Sequence, residues 1–254
     1  MVFIIGDCKE ILKDMSDNSV DIIITSPPYN INLKYNKYKD KKPRQEYLQW
    51  IYDIFVELKR VLKVDGHIFL NIGYTSRDPY ISMEVALKLK DLLILQNNIT
   101  WIKSLDNEGH FKPINSKRYI NITNENIYHF TKHDKVEINK KMIPYKDKNN
   151  LICRRTGELK EDGRCKGNSW FIPYKTRTKK NIHPAVFPDE LVETCIKLSN
   201  IKSGVILDPF CGTGTTIKIG QKYNLSGIGI DIDETYINRI KDVWQSFHLF
   251  IYLF

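Results

Sequence analysis

The sequence predicts an α/β fold with a doubly wound, mostly parallel sheet. Apolar runs of strand length alternate along the chain with stretches whose apolar residues recur at spacings of three and four. This alternation is typical of repeated strand and helix units. The strand-like runs are rich in Val and Ile, as expected of strands that are buried on both faces. In such a sheet ligands bind outside the carboxyl ends of the strands, so chemical motifs are expected there.

The first elements follow from local pattern. Val20–Thr25 (VDIIIT) is a β-branched run that ends at Ser-Pro-Pro, which predicts a buried strand. Residues 47–62 carry apolar side chains at helical spacing, and the Asp65-Gly66 pair after them predicts the end of a helix of about four turns. The run HIFLNI at 67–72 predicts the next strand.

The middle of the first half contains a further predicted helix and two further predicted strands. Residues 78–96 are expected to be helical, with Asp78 as the cap and Pro79 at the first position. The predicted strands cover 99–103 and 126–131.

The same alternation returns near the C-terminus. Helices are predicted at 188–200 and 213–223, and a last helix is predicted after Asp233. The predicted strands between them cover 204–207 and 226–232.

The positive charge is concentrated in one segment. The chain has 39 Lys and Arg against 30 Asp and Glu, a formal net charge of +9, which favours a polyanionic partner such as nucleic acid. Residues 132–180 hold 15 of the basic and 6 of the acidic residues, so the rest of the chain is neutral in sum. This segment lacks strong helical periodicity. It is predicted to be an irregular insertion between a first half, 1–131, and a second half, 181–254.

A smaller basic cluster covers residues 34–44. It has six basic residues and one acidic residue, with Tyr35 and Tyr38 between them. This composition suits contacts with phosphates and unstacked bases. A solvated loop is the alternative interpretation.

The chain has the composition of a cytoplasmic protein. Its five cysteines are odd in number and scattered, which argues against a disulfide framework. No apolar run approaches the roughly 20 residues of a membrane span, and the first residues lack the zones of a secretory signal. Cys153 and Cys165 have no partners at zinc-ligand spacing, so no metal is expected.

The segment DPFCGTGTT, residues 208–216, connects a predicted strand to a predicted helix. Gly212 and Gly214 allow the backbone to approach a ligand, and the Asp208 carboxylate can accept hydrogen bonds from an amine. Asp231 follows 19 residues after Gly212, where a Rossmann-like site places an acid that binds ribose hydroxyls. The pattern predicts a nucleoside cofactor; a glycine-rich turn capped by aspartates is the alternative.

Missing features narrow the choice of nucleoside. Ile217 occupies the position of the third glycine of a dinucleotide site, and no GxxxxGK[ST] motif occurs. Carboxylates beside the glycines repel a phosphate but attract an ammonium and a sulfonium. S-adenosyl-L-methionine carries both cations and is the cofactor that the pattern favours.

The segment TSPPYN, residues 25–30, directly follows the first predicted strand. Proline has no N–H and a fixed φ angle, so the carbonyls here are expected to be rigid and without intramolecular partners. The Pro27 carbonyl and the Ser26 hydroxyl can accept the two hydrogens of an exocyclic amine, and Tyr29 can lie over a flat ring. The motif predicts a pocket for a planar base with an NH2 group; a turn that ends a strand is the alternative.

Four segments together resemble those of the DNA amino-methyltransferases, which modify the exocyclic amine of cytosine or adenine. They are TSPPYN, DPFCGTGTT, GIGID and, at residues 181–188, NIHPAVFP. Because TSPPYN precedes DPFCGTGTT, the chain is identified as a member of the permuted β class. The resemblance implies a circularly permuted, Rossmann-like class I methyltransferase fold, with residues 132–180 as the target-recognition region.

The resemblance also implies a cofactor and partners. The implied cofactor is S-adenosyl-L-methionine, and the implied substrate is double-stranded DNA. The implied setting is a prokaryotic restriction-modification system, with a companion restriction endonuclease as a functional partner that need not bind the chain. The chain is expected to act as a monomer or homodimer, away from membranes.

The permutation gives the N-terminal run a place in the sheet. Residues 1–7 are expected to form the strand that follows the C-terminal helix in the unpermuted order, next to the strand that ends at Asp231. The resemblance implies that Asp7 contacts the cofactor adenine and that His183 lines its methionine end. An alternative role for His183 is to orient a loop.

Three sets of residues are therefore predicted to form the site. The catalytic residues are Ser26, Pro27, Pro28 and Tyr29. The cofactor-binding residues are Asp7, His183, Asp208, Pro209, Phe210, Cys211, Gly212, Gly214, Thr215, Thr216 and Asp231. The DNA-binding residues are Lys34, Lys37, Arg154, Arg155, Arg164, Lys166, Arg177 and Lys179.

The first residue of the tetrapeptide favours cytosine over adenine. In the family that the chain resembles, Ser-Pro-Pro-Tyr is common in enzymes acting on the 4-amino group of cytosine. Asp or Asn stands first in those acting on the 6-amino group of adenine. Ser26 therefore favours cytosine, with adenine as the alternative. Methylation at carbon 5 is disfavoured because it needs a cysteine nucleophile, usually after a proline, and no Pro-Cys pair occurs.

Two further functions compete with this one. Methylation of RNA or of a protein glutamine uses related motifs, but those families usually place the cofactor motif first and have Asn in the tetrapeptide. A DNA-binding protein with an inactive methyltransferase fold is the alternative of another class. The intact acidic, glycine and TSPPY positions argue against it.

Overall fold

The computed structural model describes residues 1–105, 108–109, 114–142, 164–173, 188–243 and 250–253. The strands are β1 (Val2–Ile5), β2 (Val20–Thr25), β3 (Leu62–Ile72), β4 (Ile94–Ile102), β5 (Ser104–Leu105), β6 (Glu108–Gly109), β7 (Asn124–Thr131), β8 (Ser169–Phe171), β9 (Gly204–Asp208), β10 (Leu225–Asp231) and β11 (Phe250–Leu253). The α-helices are α1 (Cys8–Ile11), α2 (Arg44–Val61), α3 (Ile81–Lys88), α4 (Asp189–Ser199), α5 (Thr215–Lys222) and α6 (Glu234–Val243).

Nine of these strands form one sheet, in the order β11-β1-β10-β9-β2-β3-β7-β4-β8. Within this sheet β7 runs antiparallel to its neighbours, β3 and β4, and the other adjacent pairs are parallel. β5 and β6 pair antiparallel in a separate two-stranded sheet. This arrangement confirms the predicted α/β fold with a mostly parallel sheet.

Helices cover both faces of the sheet. Because successive strand residues point to opposite faces, neighbouring residues of one strand enter different cores. In β2, Ile23 packs into a core with side chains of α1, α2 and α3, whereas Ile22 and Ile24 pack into a second core with side chains of α4 and α5. All three isoleucines are buried. The uninterrupted apolar run of β2 follows from this double burial.

The two termini meet at one edge of the sheet. β1 pairs in parallel with β10, and Ile5 lies opposite Asp231. β11 pairs in parallel with the other side of β1. The N-terminal run is therefore the neighbour of the strand that ends at Asp231, as the permuted order predicts.

The helix predicted at 78–96 is wrong in both its start and its end. The helix α3 covers only Ile81–Lys88, and its N-cap residue Tyr80 makes no side-chain capping bond. The Asp78 carboxylate instead accepts a hydrogen bond of 2.6 Å from Arg44. β4 begins earlier than predicted because its ladder with β7 extends from Ile94 to Ile102.

Two other features of the sheet differ from the sequence prediction. The Asp65-Gly66 pair, expected to end a helix, lies inside β3, which follows directly on α2 at Leu62. Within the predicted insertion 132–180, the short strand β8 pairs with the end of β4. Both features result from pairing with strands that are distant in sequence, β2 for β3 and β4 for β8, which the local pattern does not encode. The division into 1–131, 132–180 and 181–254 stays a prediction.

Among the described residues, no helix has both the length and the apolar character that a membrane crossing requires. The longest of them, α2, buries one face against the sheet and carries charged residues on the other.

Two buried histidines are predicted to make the folded state less stable in acid than it would be without them. His67 Nδ1 lies 2.9 Å from His129 Nε2, and the two rings stack in the core with Phe69. Burial lowers the pKa of His67 to about 4 and that of His129 to about 3. In the unfolded chain both rings bind a proton near pH 6.5, so the contribution of the histidines to stability falls as the pH drops from 6.5 toward 4. The raised pKa of about 6 at Asp208 and at Asp231 contributes in the opposite direction below pH 6.

The measurement is the free energy of unfolding in urea at several pH values. Each histidine should contribute a slope of about 1.4 kcal/mol per pH unit in this range. The variant His129→Phe keeps the stack on Phe69, and its slope should be lower than that of the wild type by about 1.4 kcal/mol per pH unit, whereas the slope of His133→Asn, at a more exposed position, should match the wild type. Identical slopes in all three proteins would contradict the prediction.

Candidate active site

Asp208 lies at the carboxyl end of β9, in the centre of the sheet, and is 2% exposed. One carboxylate oxygen accepts hydrogen bonds from the Thr25 hydroxyl at 2.8 Å and from the Phe210 backbone N–H at 3.1 Å. The other accepts the Thr216 hydroxyl at 2.7 Å. These donors orient a carboxylate that burial would otherwise destabilise. Burial still raises its pKa to about 6.

Asp231 stands at the carboxyl end of the neighbouring strand β10. Its carboxylate accepts the backbone N–H of Gly212 at 2.7 Å and that of Asp233 at 2.8 Å. Burial raises its pKa to about 6 as well. Gly212 and Gly214 have φ angles of +48° and +78°, in the region that favours glycine. The acidic residue of β10 therefore fixes the glycine turn that follows β9.

The TSPPY segment leaves the carboxyl end of β2, which pairs with β9. Tyr47, on α2, donates a hydrogen bond of 2.8 Å to the Pro28 carbonyl. The expectation that both proline carbonyls lack intramolecular partners is therefore wrong for Pro28, since a tyrosine in the first turn of the next helix reaches it. No donor among the described residues contacts the Pro27 carbonyl.

Tyr29 is buried, and its hydroxyl belongs to a polar network. The hydroxyl lies 2.8 Å from Ser26 Oγ and 3.1 Å from Glu125 Oε2. Asn71 Nδ2 donates to the Tyr29 oxygen at 2.7 Å and to Glu125 Oε2 at 2.8 Å. Lys103 Nζ donates to Glu125 Oε1 at 2.7 Å. Sequence reasoning missed Asn71, Lys103 and Glu125, because their approach depends on the pairing of β7 between β3 and β4.

One cavity of ≈ 340 Å³ joins the two motifs. Thr25 connects them directly, since it precedes Ser26 in the chain and bonds to Asp208. Asp7, at the end of β1, also lines the cavity. Of the predicted site residues, those lining the cavity are Asp7, Ser26, Pro27, Pro28, Tyr29, Lys37, Asp208, Pro209, Phe210, Cys211, Gly212, Thr215, Thr216 and Asp231.

The segment 30–42 forms a wall of this cavity. The buried Asp40 carboxylate accepts three backbone N–H groups, those of Asn30, Ile31 and Leu33, at 2.7 to 3.1 Å. These bonds fold the segment onto itself. Asn36 Nδ2 donates to Asp233 at 2.9 Å, which attaches the segment to the start of α6.

Aromatic rings continue that wall. The rings of Tyr38 and Trp50 stack with centroids 5.5 Å apart, and the Phe210 ring meets Trp50 edge-on at 5.7 Å. All three rings and that of Tyr35 line the cavity. The sequence pattern places Tyr35 and Tyr38 in a basic cluster, and it does not single out Trp50.

Four of the eight predicted DNA-binding residues belong to the described part of the chain. Lys34 and Lys37 are exposed, and Lys37 borders the cavity. Arg164 is exposed, whereas Lys166 Nζ lies 5.4 Å from the centre of the Trp170 ring, and burial lowers its pKa. The remaining predicted site residues lie outside the described residues: Arg154, Arg155, Arg177, Lys179 and His183.

The described cysteines near the cavity are not activated nucleophiles. Burial raises the pKa of Cys8 and of Cys211, so both remain thiols at neutral pH. In the described ranges, no three His, Cys, Asp or Glu residues are grouped so that they could hold a metal ion. The residues that line the cavity include oxygen acceptors and aromatic rings.

Curated relatives of the chain are DNA methyltransferases. The chain is 28% identical over 249 residues to the type II methyltransferase M.BglII of Bacillus subtilis, covering 92% of this chain and 66% of the relative. It is 31% identical over 241 residues to M.HpaI of Haemophilus parainfluenzae, covering 92% and 71%. The DNA adenine methyltransferase YhdJ of Escherichia coli K12 is 28% identical over 248 residues, covering 91% and 78%. The chain thus spans about two thirds to four fifths of their lengths.

Solved structures share the fold. PvuII DNA methyltransferase (cytosine-N4-specific) matches with a TM-score of 0.71 and 18% identity, over 98% of this chain and 94% of that one. A DNA modification methylase of Thermus thermophilus, complexed with S-adenosyl-L-methionine, matches with a TM-score of 0.68 and 20% identity, over 98% and 97%.

The profile of one protein family matches residues 20–242, a range that includes the TSPPY segment, Asp208, the glycine turn and Asp231. That family is described as DNA methylase, of the N6/N4 methyltransferase type. The match covers most of the chain and both motifs that meet in the cavity, so the chain belongs to the N6/N4 family of DNA methylases.

Proposed function

We propose that the chain transfers a methyl group from S-adenosyl-L-methionine to the exocyclic 4-amino group of a cytosine in double-stranded DNA. The observation that carries the proposal is the cavity in which the TSPPY segment meets the buried Asp208 and the partly buried Asp231. A methyl donor with cationic groups and a base with an exocyclic amine can meet there. The same reaction on the 6-amino group of adenine is the second candidate, because the relative YhdJ is named an adenine methyltransferase.

The residues of the cavity fit S-adenosyl-L-methionine. Asp208 is buried and Asp231 is partly buried, and their raised pKa values reflect a cost of ionisation that a cationic ligand offsets. Asp208 would hold the ammonium group, Asp231 the ribose hydroxyls and Asp7 the adenine. Among the aromatic residues, Phe210 and Trp50 offer flat apolar surface to the adenine or the sulfonium. When bound, the cofactor supplies an electrophilic methyl group on a sulfonium.

The base side of the cavity is suited to hold an amine. The Pro27 carbonyl and the Ser26 hydroxyl would accept the two amine hydrogens, and their rigid placement would turn the nitrogen lone pair toward the methyl donor. Tyr29 would stack on the base, which must leave the duplex to reach the cavity. One edge of the Tyr29 ring is already close to Gly73, where an added Cβ would lie 2.8 Å from Cε2. Glycine there lets the ring remain in place.

The amine is the nucleophile in this proposal. No covalent enzyme intermediate is needed, because the cavity offers two acceptors for the amine hydrogens, and burial keeps Cys8 and Cys211 as thiols. Positioning and preoriented dipoles would supply most of the rate acceleration.

Cytosine is favoured by Ser26. With its hydrogen turned to Tyr29, 2.8 Å away, the Ser26 oxygen would accept from an amine. In the family that the chain resembles, Ser at this position is common in enzymes acting on cytosine. The name of the structural neighbour PvuII DNA methyltransferase also specifies cytosine-N4.

Contacts to DNA would come from basic residues around the cavity and in the segment 132–180. Lys34, Lys37 and Arg164 are exposed and could approach phosphates. Arg154, Arg155, Lys166, Arg177 and Lys179 complete the proposed set. The proposed setting is a restriction-modification system with a companion endonuclease, since two of the relatives are type II methyltransferases.

Cofactor affinity is expected to depend on pH. The raised pKa of about 6 at Asp208 and at Asp231 means that both carboxyls bind protons as the pH falls below 6 in the ligand-free protein. A cationic ligand favours the ionised forms, so protons compete with it. We expect the Kd measured by calorimetry to be constant from pH 7 to 8. Below pH 6, each carboxyl that must lose a proton on binding should raise the Kd about tenfold for each pH unit. A Kd independent of pH from 5 to 8 would contradict this account.

The transfer itself can be tested with purified protein. Labelled S-adenosyl-L-methionine is mixed separately with genomic DNA from a host without DNA methylation, with total RNA and with a protein extract. We expect label on DNA alone. Label on RNA or protein, with none on DNA, would contradict the proposal, and cofactor binding without transfer would favour an inactive DNA-binding protein.

A further inference from the structure

The polar network behind Ser26 fixes the direction of its hydrogen bonds. A carboxylate accepts hydrogen bonds and has no hydrogen to donate. Because Glu125 Oε2 lies 3.1 Å from the Tyr29 hydroxyl, that hydroxyl must donate its only hydrogen to Glu125. The Tyr29 oxygen is then an acceptor toward Ser26, 2.8 Å away. The Ser26 hydrogen is thereby turned to Tyr29. Asn71 Nδ2 also lies 3.5 Å from the Ser26 oxygen, but its two hydrogens serve the shorter contacts with Tyr29 and Glu125, so within the described part of the chain the Ser26 oxygen can still accept from another donor.

Lys103 and Asn71 maintain this polarity. The Lys103 ammonium donates to Glu125 Oε1 at 2.7 Å, and both side chains of this ion pair are less than a fifth exposed. The Asn71 amide directs its N–H group to Glu125 and Tyr29, while its Oδ1 atom is buried and has no hydrogen-bond partner within the described part of the chain. With its N–H group turned this way, Asn71 requires a hydrogen-bond acceptor at position 125, and the Glu125 carboxylate supplies one.

We infer that Glu125, anchored by Lys103, is a positioning residue that makes Ser26 a hydrogen-bond acceptor for the amine of the target base. Glu125 acts through Tyr29 and does not touch the base. This inference rests on the proposed function. It assigns a role to three residues outside the TSPPY segment, on β3, at the end of β4 and on β7.

The variant Glu125→Gln tests the inference with almost no change in shape. Lys103 needs an acceptor, so it will hold the amide oxygen and turn the amide NH2 group toward Tyr29. Tyr29 then accepts at that side and donates its hydrogen to Ser26, whose oxygen loses a lone pair to that bond. The variant is also made in an Asn71→Ala background, because a flipped Asn71 amide would offer its oxygen to the Tyr29 hydrogen in place of Ser26. We expect kcat for DNA methylation to fall by about 10²–10³-fold, with little change in the KM for DNA or in the Kd of the cofactor.

Controls separate polarity from damage to the fold. Glu57→Gln, on α2 in an ion pair with Arg60, makes the same chemical change away from the cavity and should leave kcat unchanged. Tyr29→Phe removes the hydroxyl that carries the effect. In that background Glu125→Gln should lower kcat by less than about threefold, because the two substitutions act on one chain of hydrogen bonds.

The outcomes are distinct. An unchanged kcat in Glu125→Gln, an increase in KM alone, or effects of Glu125→Gln and Tyr29→Phe that simply multiply would each overturn the inference and leave the proposed function standing. A wild-type chain that methylates no DNA would overturn the proposed function and this inference together.

Discussion

Replacement of Ser26 by alanine should lower kcat for DNA methylation by about 10²–10³-fold while the cofactor still binds with its normal affinity. The substitution removes one of two acceptors that hold the amine. It leaves Asp208 and its three hydrogen bonds intact, because Thr25 and not Ser26 supplies the contact to that carboxylate. Steady-state kinetics and calorimetry on the same preparation measure the two effects separately.

Ser19→Ala is the matched control for this experiment. Ser19 stands before the first residue of β2, at the opposite end of the strand from Ser26, and its hydroxyl donates to the nearby Ser16 carbonyl. The control should keep wild-type kcat. An equal loss of turnover and cofactor affinity in Ser26→Ala would show that Ser26 belongs to the cofactor site and would contradict the assigned role.

Replacement of Asp208 by asparagine should weaken cofactor binding by about 10- to 100-fold, the loss expected for one hydrogen bond to a charged group. The same substitution should not lower the stability of the ligand-free protein. The asparagine oxygen can keep the Thr25 and Phe210 donors, and its NH2 group can donate to Thr216, whose hydroxyl already lies 3.4 Å from the Ile24 carbonyl.

The sign of the stability effect follows from the pKa of Asp208. A folded-state pKa of about 6, above the ordinary 3.8, contributes stability that is present below pH 3.8 and is lost as the pH rises through 6. At pH 7 to 8 the asparagine variant should therefore melt at the same or a higher temperature than the wild type. Asp189→Asn, at the partly exposed start of α4, controls for a general effect of charge. A lower melting temperature in Asp208→Asn, with unchanged cofactor affinity, would contradict this account of the acidic site.

The sheet and the two motifs could be predicted from sequence because their signals are local. The double burial of β2 and β9 leaves uninterrupted apolar runs, and the segments after them carry the residues of the site. The left-handed backbone of Gly212 and Gly214 is likewise expected from a glycine-rich turn between a strand and a helix. The place of β1 followed from the permuted order.

The features that escaped prediction depend on contacts between distant parts of the chain. Asp78 precedes a proline and resembles a helix cap, but Arg44 lies 34 residues away and binds it instead. Glu125 and Lys103 meet because β7 reverses direction beside β4, and neither residue stands in a recognisable motif. The segment 30–42 has the composition of a surface loop, yet the buried Asp40 folds it into a wall of the cavity.

The most direct test of the account is the identity of the methylated nucleoside. Duplex DNA methylated by the purified chain with labelled cofactor is digested to nucleosides, and the product is identified by mass and by comparison with standards. The account predicts a methyl group on an exocyclic amine, specifically N4-methylcytosine. N6-methyladenine would contradict the assignment of the base, and 5-methylcytosine, or no methylated nucleoside at all, would contradict the claim that this cavity joins an amine to a methyl donor.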